Sequence, residues 1–434
     1  MSCFLLPSSP RRGETLPNVT ARFDLLLRRA RLRGRGDALH DIAVRDGRIA
    51  GIGERVDGTA PVEIDAHGGL ASESFVNPHL HLCKVYTLRM MDDQAARAYH
   101  GDGMAKAMSA IELAARVKAQ YAESWIVENV RRAVALAAVH GTTHLRALAD
   151  VDGKARLEGV KALLRAREEF KGVVDVQVVA FAQDGIVRES AAGPLMRQAI
   201  ALGADVVGGI PWIEYTEADS ATHIGFCFDL AREFGKDVSM LVDDAGDAGL
   251  RTLEAMAVAA IERGWQGRVL AHHARAMALY ATPYLEKVIA LMKQAGLGLV
   301  SDPHTGPLHA RVKELLAAGV NVCLGQDDIS DAYYPFGRNS MLEVGFLAAH
   351  LLWMTTRPEM ETLYEMITTR AARAMGVPDH ELKVGAPANL VVLEAPDVLE
   401  ALREHAAPLA VVSHGKLVDQ TKMRELSRHE AGPV

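Results

Sequence analysis

Four cysteines in 434 residues, none close enough to another to form a CxxC pair, leave this chain without a disulfide framework or a cysteine-based zinc site. Cys3, Cys83, Cys227 and Cys323 lie far apart, which fits a reducing, cytoplasmic setting. No run of about 18 uncharged apolar residues occurs, so no membrane-spanning helix is expected. The short apolar stretch from Phe4 to Leu6 is followed by Pro, Ser and Arg and is too short for a signal-peptide core; residues 1–22 read as a loose extension. Basic residues are not in excess. With 48 Lys and Arg against 55 Asp and Glu, the net charge of −7 is spread along the chain, and nothing resembles a basic face for nucleic acid. What the chain has is apolar content, 49 %, ample for one large domain and a smaller unit.

Short β segments open the sequence: 24–27, 41–44 and 48–52, the last two joined by Asp46-Gly47, a strong hairpin signal. The same texture returns at 388–393 and 410–413, followed by a turn at His414-Gly415-Lys416. Both chain ends are therefore expected to build one small β-sandwich unit (23–72 and 383–434) beside a central domain at 73–382. That middle alternates. Apolar β-like runs at 74–77, 143–148, 175–182, 206–212, 238–244, 269–274, 297–303 and 321–328 are separated by helical stretches such as 155–170 and 283–294. Eight such units fit an α/β fold, a (β/α)8 TIM barrel. A doubly wound sheet competes, but no GxGxxG loop follows the first strand. In a barrel, reactive groups gather at the C-terminal ends of the strands, so those ends are read in order.

The first run ends Asn77-Pro78-His79-Leu80-His81. Residues two apart in a strand face the same way, so His79 and His81 point together into the mouth, as two imidazole ligands of one metal would. Run eight ends Gln326-Asp327-Asp328. Two carboxylates closing an apolar strand are costly unless paired or bound to a cation, and the plain alternative, a helix cap, explains less because Tyr333, Tyr334 and Pro335 signal a loop. Run six gives His272-His273, of which alternation sends one to the mouth and the other outward, and a core histidine is the plain reading. Run three offers Gln183, an amide able to pair with a ring amide. Run four offers Trp212 as an aromatic wall and Glu214 as a carboxylate, with rim packing as the alternative for all three.

HxH on strand one, His on strand six and Asp on strand eight, between two halves of a β-unit, resemble the amidohydrolase superfamily. The closer likeness is to its branch of bacterial cytosine deaminase and N-isopropylammelide isopropylaminohydrolase. The resemblance spans 24–418 and is carried by 74–87, 174–186, 203–216, 270–277 and 320–341, above all by 178–183 and Gly325-Gln326-Asp327-Asp328. It implies one divalent ion, zinc or iron, held by His79, His81, a strand-five histidine and Asp327, which acidifies a bound water. It also implies that Asp327 takes the proton, that His273 orients the attacking oxygen, and that Gln183 and Asp328 contact the substrate. A carboxylate after strand five would relay protons.

Strand five departs from that pattern. In Ser239-Met240-Leu241-Val242-Asp243-Asp244 the ligand position is Leu241, and the relay carboxylate is matched by the shorter Asp244. Three ligands at most remain, with His273, Asp243 or Asp244 as substitutes. Cys83 stands where relatives tend to carry Asp; its thiolate is a candidate ligand, packing the plain reading. Neither 147–150, where relatives often carry a histidine turn, nor Ser301-Asp302-Pro303-His304 after strand seven fits the pattern. The pocket reads as rebuilt, and cytosine itself as a poor fit. Three readings stay open. One is a metal-dependent hydrolase of a cyclic amide, amidine or amino-substituted N-heterocycle. Another is a metal-independent barrel enzyme using Asp243, Asp244, Asp327, His and Lys84. The third is a non-catalytic ligand-binding barrel. The expected partner is a small-molecule substrate, without nucleic acid or membrane, and a homo-oligomer is compatible by family analogy.

Overall fold

The computed structural model describes residues 21–91 and 114–428; Cys3 and most of the extension expected over 1–22 lie outside them. Sixteen strands form two sheets among the described residues. The N-terminal β1 (Leu25–Leu32), β2 (Leu39–Arg45), β3 (Arg48–Gly53), β4 (Val62–Asp65) and β5 (Leu70–Glu73) join β14 (Leu390–Val392), β15 (Ala410–Ser413) and β16 (Lys416–Leu417) in one sheet. Both ends of the chain do meet: Leu390 pairs with Glu73 and Val392 with Ala71. The β2–β3 hairpin turns through Asp46 (φ 52°) and Gly47 (φ 73°), both left-handed, as a two-residue turn matched to strand twist requires.

The second sheet is the barrel. Its parallel strands are β6 (Phe75–Leu80), β7 (Thr142–Asp150), β8 (Asp175–Ala182), β9 (Val206–Gly209), β10 (Asp237–Val242), β11 (Val269–His273), β12 (Gly298–Ser301) and β13 (Val322–Leu324). All eight expected runs are strands. The fourth stops early because Pro211 has no amide to donate, and Pro211–Ile213 turns into a 3-10 helix. Burial on both faces explains the continuous apolar runs: every residue of β7 is buried. Helices cover the outside, for example Glu158–Glu169, which buries Val160, Leu163 and Ala166 at three-residue spacing. Val76, Leu270, Val300 and Cys323 fill one interior layer. Closure comes at the rim, where Asp327 N donates to His79 O (2.9 Å) and His81 N to Asp327 O (2.8 Å). The backbone bonds that shut the barrel thus hold the two histidines of β6 against the aspartate after β13.

A histidine group lies away from the mouth. Buried His144 has Nε2 3.6 Å from Asp175, and His414 has Nε2 3.1 Å from the same carboxylate. His414 takes Asp175 and its pKa rises; burial then drives His144 down to about 3. His140, half-buried, falls to about 4 through burial of its ring and the nearby Arg338. A histidine whose folded pKa is depressed binds more protons unfolded, so stability is complete above the unfolded value near 6.5 and declines as pH falls toward the folded one. The expected result is a melting temperature that drops between pH 6.5 and 4, at about 1.4 kcal/mol per pH unit for each such group, which a pH series of thermal melts measures.

Candidate active site

The mouth of the barrel holds one pocket lined by His81, Lys84, Gln183, Ile210, Trp212, Leu241, Asp244, His273, Arg275, Thr305, Asp327, Asp328 and Tyr333. His79 lies just beneath, fully buried. Oδ1 of Asp327 is 3.0 Å from Nε2 of His79, 3.8 Å from Nε2 of His81 and 3.7 Å from Nε2 of His273. Three imidazoles therefore converge on one carboxylate. Asn77 fixes this geometry, since its Oδ1 accepts from the amides of His79 and Gln326 (3.2 Å each) while its Nδ2 donates to Asn339. Burial would raise Asp327, but His273 and His79 hold it well below the usual carboxylate range.

Left-handed backbone decides which side chains reach the mouth. His273 (φ 65°) and Asp327 (φ 66°) both break strand alternation, conformations that cost a non-glycine residue free energy and cluster at functional sites. The outward orientation expected for one histidine of the His272-His273 pair is therefore corrected: both face inward. His272 bonds His79 Nδ1 (2.6 Å) and Ser239 Oγ (2.5 Å), which leaves His79 Nε2 facing the mouth. For the same reason Asp327 and Asp328 both line the pocket. Burial and the neighbouring Asp327 and Asp331 push Asp328 well above the usual carboxylate range.

Leu241 stands in the wall, as the strand-five departure requires. Asp243 is not available as its substitute. Its carboxylate accepts from the amides of Thr252 and Leu253, from Thr252 Oγ1 and from Tyr280 Oη, anchoring the start of the helix Thr252–Glu262. Asp244 does reach the pocket, 4.0 Å from His273 Nε2 and hydrogen-bonded by Arg275; burial, opposed by Arg275, pushes it up to about 6. Glu214 has a structural role, accepting from three amides at 186–188 and pairing with His223. Cys83 is packed, accepting from Asp150 N, and burial pushes its thiol up to about 12.

Lys84 is buried and donates to Gln183 Oε1 (3.0 Å), with Asp150 at 3.8 Å and the ring of Tyr333 at 4.5 Å. Lysine only donates, so the carbonyl of Gln183 faces Lys84, and both side chains line the pocket. Trp212 forms part of the wall, as expected.

Arg275 escaped the sequence reading, and Asp302 entered it only as part of the polar segment after strand seven, without a role. Arg275 reaches Asp244, Thr305 and, at 3.6 Å, Asp327. Asp302 follows β12 and is 3.3 Å from His273 Nδ1. Burial, opposed by His79, raises its pKa to about 7, and the nearby Gly325 amide lowers it without being aligned for a hydrogen bond. The one signal in the sequence was position, a charged residue just past an apolar run. Among the described residues, two overlapping groups have donor atoms close enough for one ion: His79, His273, Asp302 and Asp327, and His81, Asp327 and Asp328.

Comparison with known proteins places the chain. The model described as the amidohydrolase family matches residues 62–419. N-isopropylammelide isopropyl amidohydrolase of Pseudomonas sp. (strain ADP) is 32 % identical over 400 residues, 91 % of this chain and 97 % of that protein. Pterin deaminase of Rhizobium rhizogenes is 26 % identical over 404 residues, 88 % of each. The crystal structure of 5-methylcytosine deaminase from Klebsiella pneumoniae superposes with a TM-score of 0.82 at 31 % identity, covering 91 % of this chain and 97 % of that one. The chain belongs to the amidohydrolase family. It is an enzyme of the hydrolase class that cleaves C–N bonds, which removes the non-catalytic reading.

Proposed function

We infer that this enzyme hydrolyses a C–N bond of a small nitrogen-rich ring with water activated by a divalent ion, and releases ammonia or an amine. The observation that carries this is the convergence of His79, His81 and His273 within 4 Å of one oxygen of Asp327, at a pocket that also holds Gln183 and Trp212. Relatives named for N-isopropylammelide, pterin and 5-methylcytosine all act on such rings by their names. The donor set suits an ion: Nε2 of His79 is buried and lacks an aligned hydrogen bond, and imidazole with carboxylate fits zinc or iron. His79, His81 and Asp327 would hold it. When bound, such an ion acidifies water so that hydroxide is available near neutral pH.

The residues around it divide the remaining work. Asp327 takes the proton of the attacking water, and His273 orients its oxygen toward the ring carbon. Asp244 passes a proton to the departing nitrogen, the C–N bond breaks, and the ring keeps the new oxygen. Trp212 stacks the ring, while Gln183 and Asp328 contact its carbonyl or nitrogen atoms. Free buried thiols at Cys83, Cys227 and Cys323 support a cytoplasmic setting. Among the described residues no helix is long and apolar enough to cross a membrane.

A panel of pyrimidines, pterins, s-triazines and hydantoins, assayed for ammonia or amine release, tests the reading; the expected result is turnover within one of these classes, and none anywhere would reject it. On the best substrate, Gln183→Ala should raise KM by about 5- to 150-fold, the effect of losing a buried hydrogen bond of about 1–3 kcal/mol. A second reading draws on Arg275, whose guanidinium touches Asp244 and lies 3.6 Å from Asp327. It would supply fixed positive charge without an ion, and activity would then resist strong chelators.

A further inference from the structure

Leu241 gives the site an apolar wall where a strand-five donor would stand. Two strands further round the barrel, a carboxylate has no settled partner. Asp302 is 2 % exposed, and neither of its oxygens makes a hydrogen bond. A carboxylate removed from water costs several kcal/mol unless a cation or donors face it. Its neighbour at 3.3 Å, His273 Nδ1, is itself buried without a hydrogen bond.

The backbone is shaped to bring this carboxylate to the histidines. A Cβ on Gly325 would lie 2.6 Å from Asp302 Oδ1 and 2.7 Å from the Cβ of His79, so only glycine at 325 allows the two side chains to approach. His79 spends Nδ1 on His272 and turns Nε2 into the same space. One donor atom each from His79, His273, Asp302 and Asp327 lies within 4.8 Å of the others, and all four side chains are buried. Bonds of about 2.0–2.2 Å to a tetrahedral zinc set donors about 3.4–3.6 Å apart, so these side chains would draw in by up to about an ångström to close on one ion.

Building on the metal-dependent reading above, we propose that an oxygen of Asp302 replaces the missing strand-five imidazole and binds the same ion as His79 and Asp327. The compensation moves one ligand from β10 to the end of β12. Leu241 and Asp302 are then a linked pair: the first removes a donor, and the second supplies an oxygen to the group of His79, His273, Asp302 and Asp327, which does not include His81. The chain would hold a site richer in carboxylate than one built on three imidazoles and one aspartate.

Zinc binding tests this, measured by competition with a chromophoric chelator on the wild-type chain, Asp302→Asn, and Asp302→Asn combined with Leu241→His. The wild type should take up one equivalent. Asp302→Asn should weaken zinc by more than about 100-fold, beyond the 10–100-fold typical of a group that only orients a ligand. The double variant should recover most of that loss. With a loaded wild type, a loss of about 100-fold or less in Asp302→Asn overturns the inference and leaves the metal-dependent function standing. A wild type that takes up no zinc, iron or manganese overturns both. A crystal of the zinc-loaded wild-type enzyme gives a second measurement that does not depend on variant folding. An Asp302 oxygen about 2.0–2.2 Å from zinc supports the assignment, and one beyond about 3.5 Å contradicts it.

Discussion

Asp327→Asn should lower kcat/KM by about a thousandfold or more while leaving a folded protein. The substitution keeps shape and volume but removes the charge on which three imidazoles converge, the proton acceptor for the attacking water and one proposed ligand. Loss of a general base alone is worth about 10²–10⁴-fold, and loss of water activation adds to it. The fold should survive because the barrel-closing bonds at this position are made by the backbone: Asp327 N and O pair with His79 and His81 whatever the side chain. Circular dichroism and a thermal melt check the fold, and steady-state kinetics on the best substrate give the loss. A variant that keeps more than about a tenth of the activity would remove Asp327 from the chemistry.

Asp244→Asn should cost about 10²–10⁴-fold in kcat, with a smaller change in KM. Its place in the pocket is set by Arg275 and by proximity to His273, so it is positioned to carry a proton to the departing nitrogen. The defect should shrink on substrates whose leaving group needs no proton, such as a ring halide, because only proton delivery is lost. An equal defect on both substrate types would assign Asp244 to holding Arg275 in place.

Much of this site can be read from local pattern, and the rest depends on folding. His79-Leu80-His81 follows the two-residue period of a strand, so its shared face was legible, as were the eight runs and the joining of the early and late β segments in one sheet. Alternation failed at His273 and Asp327, because both adopt positive φ, and no local pattern announces that departure. It misplaced His272, which lies beneath His79. Asp243 looked like a spare ligand beside Leu241, but its partner is Thr252 in the following helix, a contact set by the loop between them. Asp302 and Arg275 follow the strand ends by one and two residues, where sequence alone cannot tell a pocket group from a capping one. Their importance comes from neighbours on other strands: His273 for Asp302, and Asp244 and Asp327 for Arg275.

The central claim is that imidazoles from the first barrel strand and the carboxylate after the last converge to make water reactive toward a C–N bond. Its most direct test is turnover of the best ring substrate before chelation, after exhaustive chelation, and after adding back one equivalent of zinc or iron. The account predicts that ammonia or amine release falls below about a hundredth of its starting rate on stripping and returns with the ion. Full turnover from protein carrying less than about a tenth of an equivalent of metal would contradict it.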